Sequence, residues 1–87
     1  MADLHLPATL PPLFQDLPRR VRVEAATVEA AFARLDDRWP GLHDRLCEPG
    51  PALRRHIKVY VDGRPGDLGT ALDGRSRVEV IAAISGG

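Results

Sequence analysis

With 87 residues the chain has room for about one domain, and a domain of that size buries only roughly 60–65% of the surface its unfolded form exposes. A deep cleft walled by separate layers, and with it a self-contained catalyst, is therefore not expected. Hydrophobic residues at 44% and charged residues at 28% exclude wholesale disorder and a membrane protein, while twelve basic against twelve acidic side chains leave no net charge to favour nucleic acid or anionic lipid. A single cysteine, Cys47, excludes an intramolecular disulfide and a cysteine-rich zinc site, so a cytoplasmic location is expected. The opening MADLHLPATL lacks the basic cluster and apolar run of a signal peptide, and no stretch approaches the 20 or so apolar residues that span a bilayer.

Taken in chain order, Leu4, Leu6, Ala8 and Leu10 alternate with polar residues, which predicts a first strand kept short or at an edge by Pro7. After Pro11, Pro12 and Pro18, the alternation resumes with Val21, Val23 and Ala25 on one face, suggesting a hairpin. Thr27 stands where a helix cap belongs, and Val28, Ala31, Phe32, Leu35 and Trp39 follow at spacings of three and four, predicting a helix from Thr27 to Arg38 with one apolar stripe. Pro40-Gly41 ends it, and Leu42 to Cys47 reads as a short second turn. Glu48 to Pro51 is an irregular connection. In the segment from Arg54 to Val61, Ile57, Val59 and Val61 share a buried face and leave His56, Lys58 and Tyr60 on the other, with Asp62-Gly63 as the closing turn. Gly66 to Gly74 is turn-rich, and Arg77 to Ile84 forms the last strand around Val78 and Val80. This order predicts an α+β fold, a mixed sheet packed on one main helix.

Side-chain chemistry is sparse. His5, His43 and His56 show no spacing that gathers them with one another or with Cys47, so no metal ligands are assigned. Cys47 beside Leu46 reads as a small buried residue without an activating base. Asp36 and Asp37 point about 100° apart on a helix and read as solvated. Gly63, Gly66 and Gly69 open no helix and have no phosphate-loop partners. No catalytic side chain is expected.

The end of the chain is more informative. A terminal Gly-Gly arises by chance in roughly 0.5% of chains at the usual glycine frequency of about 7%. Two residues without Cβ can thread a channel closed to any side chain and deliver a terminal carboxylate into a partner's active site. From Ala82 to Gly87 the extended chain reaches roughly 20 Å at about 3.3 Å per residue. A carboxylate is a poor electrophile at neutral pH, so chemistry there requires activation, which ATP bound to a partner would supply.

Val21-Arg22-Val23, Thr27-Val28-Glu29-Ala30, Trp39-Pro40-Gly41-Leu42, Ile57 to Gly63, Asp73-Gly74, Val78 to Ile81 and Ile84-Ser85-Gly86-Gly87, in that order, resemble the MoaD/ThiS family of ubiquitin-like sulfur carriers. The resemblance covers nearly the whole chain and implies the β-grasp fold, with residues 1–82 as the domain and 83–87 as a flexible Gly-Gly tail. It implies that Gly87 is adenylated by a ubiquitin-activating-type enzyme, converted to a thiocarboxylate and used to give sulfur to a synthase. The chain itself binds no cofactor, ATP being used by the activating partner. Leu6 to Leu10, Leu42 to Leu46 and Arg55-His56-Ile57 are most similar to carriers serving cysteine synthesis. The alternatives are the small subunit of molybdopterin synthase and a ubiquitin-like protein modifier. In each case Ser85 and Gly86 belong to the tail, strand alternation turns Ile81 outward to join Ala83 and Tyr60 in an apolar partner-binding patch, and Ile84 is assigned to partner binding with them.

Overall fold

The computed structural model describes residues 1–82. Seven strands and two α-helices follow one another as β1 (Ala2–His5), β2 (Arg20–Val23), α1 (Val28–Arg38), α2 (Leu42–Leu46), β3 (Cys47–Glu48), β4 (Ala52–Leu53), β5 (Ile57–Val61), β6 (Arg64–Gly66) and β7 (Arg77–Ala82), with a single 3-10 turn at Pro11–Leu13. Five strands form one mixed sheet in the order β2-β1-β7-β5-β6, and β3 and β4 make a separate small ribbon. The first and last strands, β1 and β7, run parallel at its centre, and every other pair is antiparallel.

Alternation decides which face of the sheet meets α1. Ala2 and Leu4 on β1, Val21 and Val23 on β2, Ile57, Val59 and Val61 on β5, and Val78 and Val80 on β7 all turn inward. They meet Val28, Ala31, Phe32 and Leu35, the four fully buried residues of α1, with Trp39 just beyond its end. The predicted apolar stripe is thus the observed one. Burying a Phe or Leu side chain of this kind contributes about 1.5–3 kcal/mol, and with four fully buried residues α1 supplies more to the core than any other element among the described residues.

The ends of α1 show why it starts and stops where it does. Thr27 Oγ1 accepts from the Ala30 amide at 3.1 Å, while the Val28 and Glu29 amides donate to the carbonyls of Thr70 and Leu68. The turn-rich stretch after β6 therefore lies across the helix start and satisfies donors that the helix cannot satisfy itself. At the other end Gly41 sits at φ +97°, a left-handed conformation that suits glycine, and α2 begins immediately after it. Asp36, expected to be solvated, instead accepts from the amides of Gly41 and His43 at 3.0 Å each and caps α2.

Three further differences from the sequence reading have local causes. The first strand ends at His5, because Leu10 donates to the Pro7 carbonyl and the chain turns there; Ala8 is exposed, while Leu6 and Leu10 still reach the core. The connection at Glu48 to Pro51 is the tip of the β3–β4 ribbon, with Gly50 at positive φ. Arg64–Gly66 is an additional strand: Asp62 (φ +51°) and Gly63 (φ +83°) both take the left-handed conformation of a two-residue hairpin turn and fold β6 back on β5. The predicted tail, 83–87, lies outside the described residues.

Candidate functional site

The outer face of the sheet follows from the same alternation. Cross-strand register aligns Arg20, His5, Glu79, Tyr60 and Pro65 in one row over all five strands. The next row towards the end of β7 holds Ile81 opposite Lys58. Ile81 is therefore diagonal to Tyr60, about 7–8 Å away between Cα atoms in an antiparallel pair, within reach of a side chain as large as tyrosine.

Two halves of this face differ in chemistry. Over β1 and β2 it is ionic: the Arg20 guanidinium grips Asp3 with Nε 3.0 and 2.9 Å from its two oxygens and Nη2 2.6 Å from Oδ2, and His5 Nε2 lies 3.4 Å from Oδ2. The Arg20 contact holds the Asp3 carboxyl below its ordinary pKa and raises that of the guanidinium. Over β5, β6 and β7 it is mixed: the exposed Ile81, the half-buried Tyr60 and the exposed Pro65, with the stem of Lys58 beside them, make an apolar group, and the Arg77–Glu79 ion pair, 3.4 Å apart, borders it. Ile81 is 43% exposed, whereas its neighbour Val80 is 3% exposed. The sequence-predicted pair Ile81 and Tyr60 thus share one surface. Ala83, Ile84, Ser85, Gly86 and Gly87, the other residues assigned to the patch and tail, lie outside the described residues.

Ala82 also borders an open groove of about 480 Å³ between the segment after β1 and the end of α2. Leu10, Leu13, Leu46 and Ile57 give it an apolar floor, and Arg45 and Arg54 add charge at its walls. Leu13, 53% exposed, completes an apolar surface that neighbours the point where β7 ends. Sequence reasoning missed this groove, since Leu13 lies among prolines with no periodic signal.

A second constellation corrects the sequence reading. His43 and Cys47 are four residues apart at the two ends of α2, and Glu29 reaches them from the first turn of α1. One donor atom from each of the three lies within 4.8 Å of the others, and His43 Nε2 is 2.8 Å from Glu29 Oε1. The expectation that no histidine gathers with Cys47 is overturned. The four-residue spacing was visible, but the partner from α1 follows only from how the two helices pack. This trio does not make Cys47 a nucleophile: the thiol is 3% exposed, and burial, with the Glu29 carboxylate adding to it, pushes its pKa up to about 11. At neutral pH it is a neutral thiol.

Among the described residues no helix is long and apolar enough to cross a membrane. No protein-family model matches the chain. No curated protein matches it either. Solved structures do. A chain of the Amycolatopsis orientalis BexX/CysO complex superposes with a TM-score of 0.88 at 23% identity, covering 100% of both chains. Mycobacterium tuberculosis CysO superposes with a TM-score of 0.84 at 23% identity, over 97% of this chain and 100% of its own. SAMP1 from Haloferax volcanii reaches 0.81 at 29% identity, over 99% and 98%. The fold is the ubiquitin-like β-grasp implied by the sequence motifs, and the resemblance read from those motifs extends over the whole chain in three dimensions.

Proposed function

We propose that this protein is a sulfur carrier: a protein substrate, not a catalyst, whose terminal Gly87 carboxylate is activated and converted to a thiocarboxylate. The observation that carries this reading is the joint presence of a full-length likeness to CysO and SAMP1 and an apolar outer patch on the strand that leads into Ser85-Gly86-Gly87. A carrier needs one surface to dock and one end to react, and here both belong to the same strand and its continuation.

The chemistry proceeds in two displacements. A Gly87 carboxylate oxygen attacks the α-phosphate of ATP held by a ubiquitin-activating-type partner, and pyrophosphate leaves. Hydrosulfide then attacks the acyl carbon; AMP departs with the former carboxylate oxygen, and the thiocarboxylate remains. Tyr60 and Ile81 dock the activating enzyme, and Ser85 and Gly86 span the distance to its reactive phosphate. The product gives its sulfur to a synthase, with cysteine formation as the favoured destination because the CysO chains superpose with the higher TM-scores, 0.88 and 0.84 against 0.81 for SAMP1. Dependence on ATP and a sulfide pool fits the cytoplasm.

Intact mass of the protein incubated with ATP, the activating enzyme and sulfide tests the reading. Replacement of one terminal oxygen by sulfur is expected. One residue added after Gly87 should abolish loading, because it moves the carboxylate about 3.5 Å past the phosphate, and Gly86→Val should block it by bringing a branched side chain into a channel shaped for backbone. Loading on Cys47, or loading indifferent to the extended tail, would overturn the assignment. A second reading, a protein modifier, is favoured by the likeness to SAMP1, a small archaeal modifier protein; isopeptide-linked adducts of higher mass would be its product.

A further inference from the structure

We propose that Glu29, His43 and Cys47 form a binding site for a zinc-class divalent cation at the corner between α1 and α2. This is separate from the tail and does not depend on the sulfur-carrier reading.

Three observations converge on it. The donor set is one thiol sulfur, one imidazole nitrogen and one carboxylate, the ligand types zinc takes, and the three atoms lie within 4.8 Å of one another. Around a tetrahedral zinc ion with bonds of about 2.0–2.3 Å, ligand atoms sit roughly 3.3–3.8 Å apart. The His43–Glu29 pair, now 2.8 Å apart, must therefore open by about half an ångström while the remaining separations, none above 4.8 Å, close by at most about 1–1.5 Å.

The second observation concerns Glu29 itself. Its Oε1 is engaged by His43, but Oε2 is enclosed by protein and has no hydrogen-bond partner. A shielded carboxylate oxygen without a donor is costly, and a cation between Glu29, His43 and Cys47 that takes both carboxylate oxygens removes that cost. The third is access. Cys47 lies at the bottom, whereas His43 and Glu29 are only half-buried and form the solvent side through which an ion enters.

Binding balances as an exchange. The ion takes the sulfur lone pair as the Cys47 proton leaves to water, and the hydrogen bond between His43 and Glu29 is replaced by bonds from both residues to the metal. Three protein ligands leave a fourth position for water, so the site is open on its outer side. Its structural effect is to tie α1, α2 and the start of β3 together through one point.

Cobalt(II), titrated into the full-length protein under reducing conditions, is the probe. One equivalent should produce the intense visible bands of tetrahedral cobalt together with a near-ultraviolet thiolate-to-metal charge-transfer band, and zinc should displace both. Cys47→Ser should abolish the charge-transfer band. Glu29→Gln, at a half-exposed position, should weaken binding at least about tenfold while retaining the circular dichroism of the parent; it keeps the test decisive should the Cys47 variant fold poorly. His56→Ala should bind as the parent does. Absence of the charge-transfer band in the parent protein would overturn the proposal, as would cobalt binding that Glu29→Gln leaves unchanged or that His56→Ala removes.

Discussion

Val80 and Ile81 are adjacent on β7, similar in size and equally apolar, yet one is 3% and the other 43% exposed. The inner face of the strand belongs to a core closed by Phe32 and Leu35, while the outer face belongs to no other part of the described chain. Hydrophobicity by itself therefore says little about what a residue does here; parity along the strand separates the residues that hold the fold from those available to a partner. In so small a domain, this division lets one strand serve both ends without compromise.

The division breaks most visibly from the inside. Phe32→Ala should cost about 3–5 kcal/mol, a large share of the stability of a domain of this size, read as a lowered urea midpoint with an unchanged slope. A loss below about 1 kcal/mol would mean that the core is organised elsewhere. Ile81→Asp is the complementary test from the outside. Its unfolding free energy should stay within about 0.5 kcal/mol of the parent, as for other surface changes, while affinity for the activating enzyme proposed above falls at least tenfold, about 1.4 kcal/mol. Equal affinity would place the docking surface off this face, with the Leu10–Leu13 groove the next candidate.

Smaller effects sharpen the picture. Thr27→Ala removes the side-chain cap of α1 and should cost about 1 kcal/mol in thermal or urea unfolding. The ionic half of the outer face should contribute least. Because Arg20 holds the Asp3 carboxyl below its ordinary pKa, the stability it contributes is present above the unfolded carboxylate value of about 3.9 and is lost as pH falls through the lower, folded value. Asp3→Asn should therefore be slightly less stable than the parent at pH 6, with the difference vanishing near pH 2. The pair is partly solvated, so the offset should be small.

What sequence made legible and what it left hidden divide along physical lines. The stripe of α1 and the inward parity of β5 and β7 come from periodic burial, which a single chain displays directly, and from these the outward placement of Ile81 and Tyr60 followed. β6 escaped because Arg64-Pro65-Gly66 has no alternation to show; its pairing is imposed by the turn at Asp62-Gly63, which was recognised, and by the edge it then meets. Asp36 seemed idle because the amides it caps belong to a helix five residues long that is stabilised by the cap itself. Glu29 was invisible as a partner of His43 and Cys47 because nothing in local spacing encodes the meeting of two helices across a glycine corner. The Gly-Gly signal was read from composition and position and concerns residues outside the described structure.

The parallel pairing of β1 with β7 has a consequence in time. His5 is synthesised 72 residues before Arg77, yet the two strands are neighbours at the centre of the sheet. At 5–20 residues per second, β1 waits roughly 4–14 s for its partner. During that interval the hairpin of β1 and β2 presents an unpaired backbone edge, with Leu4 and Val21 uncovered on one face, so nascent chains are exposed to misassociation until the last strand arrives. Because β7 pairs with both β1 and β5 and brings Val78 and Val80 into the core, a copy cut short before it should fail to fold, its sheet left open at the centre.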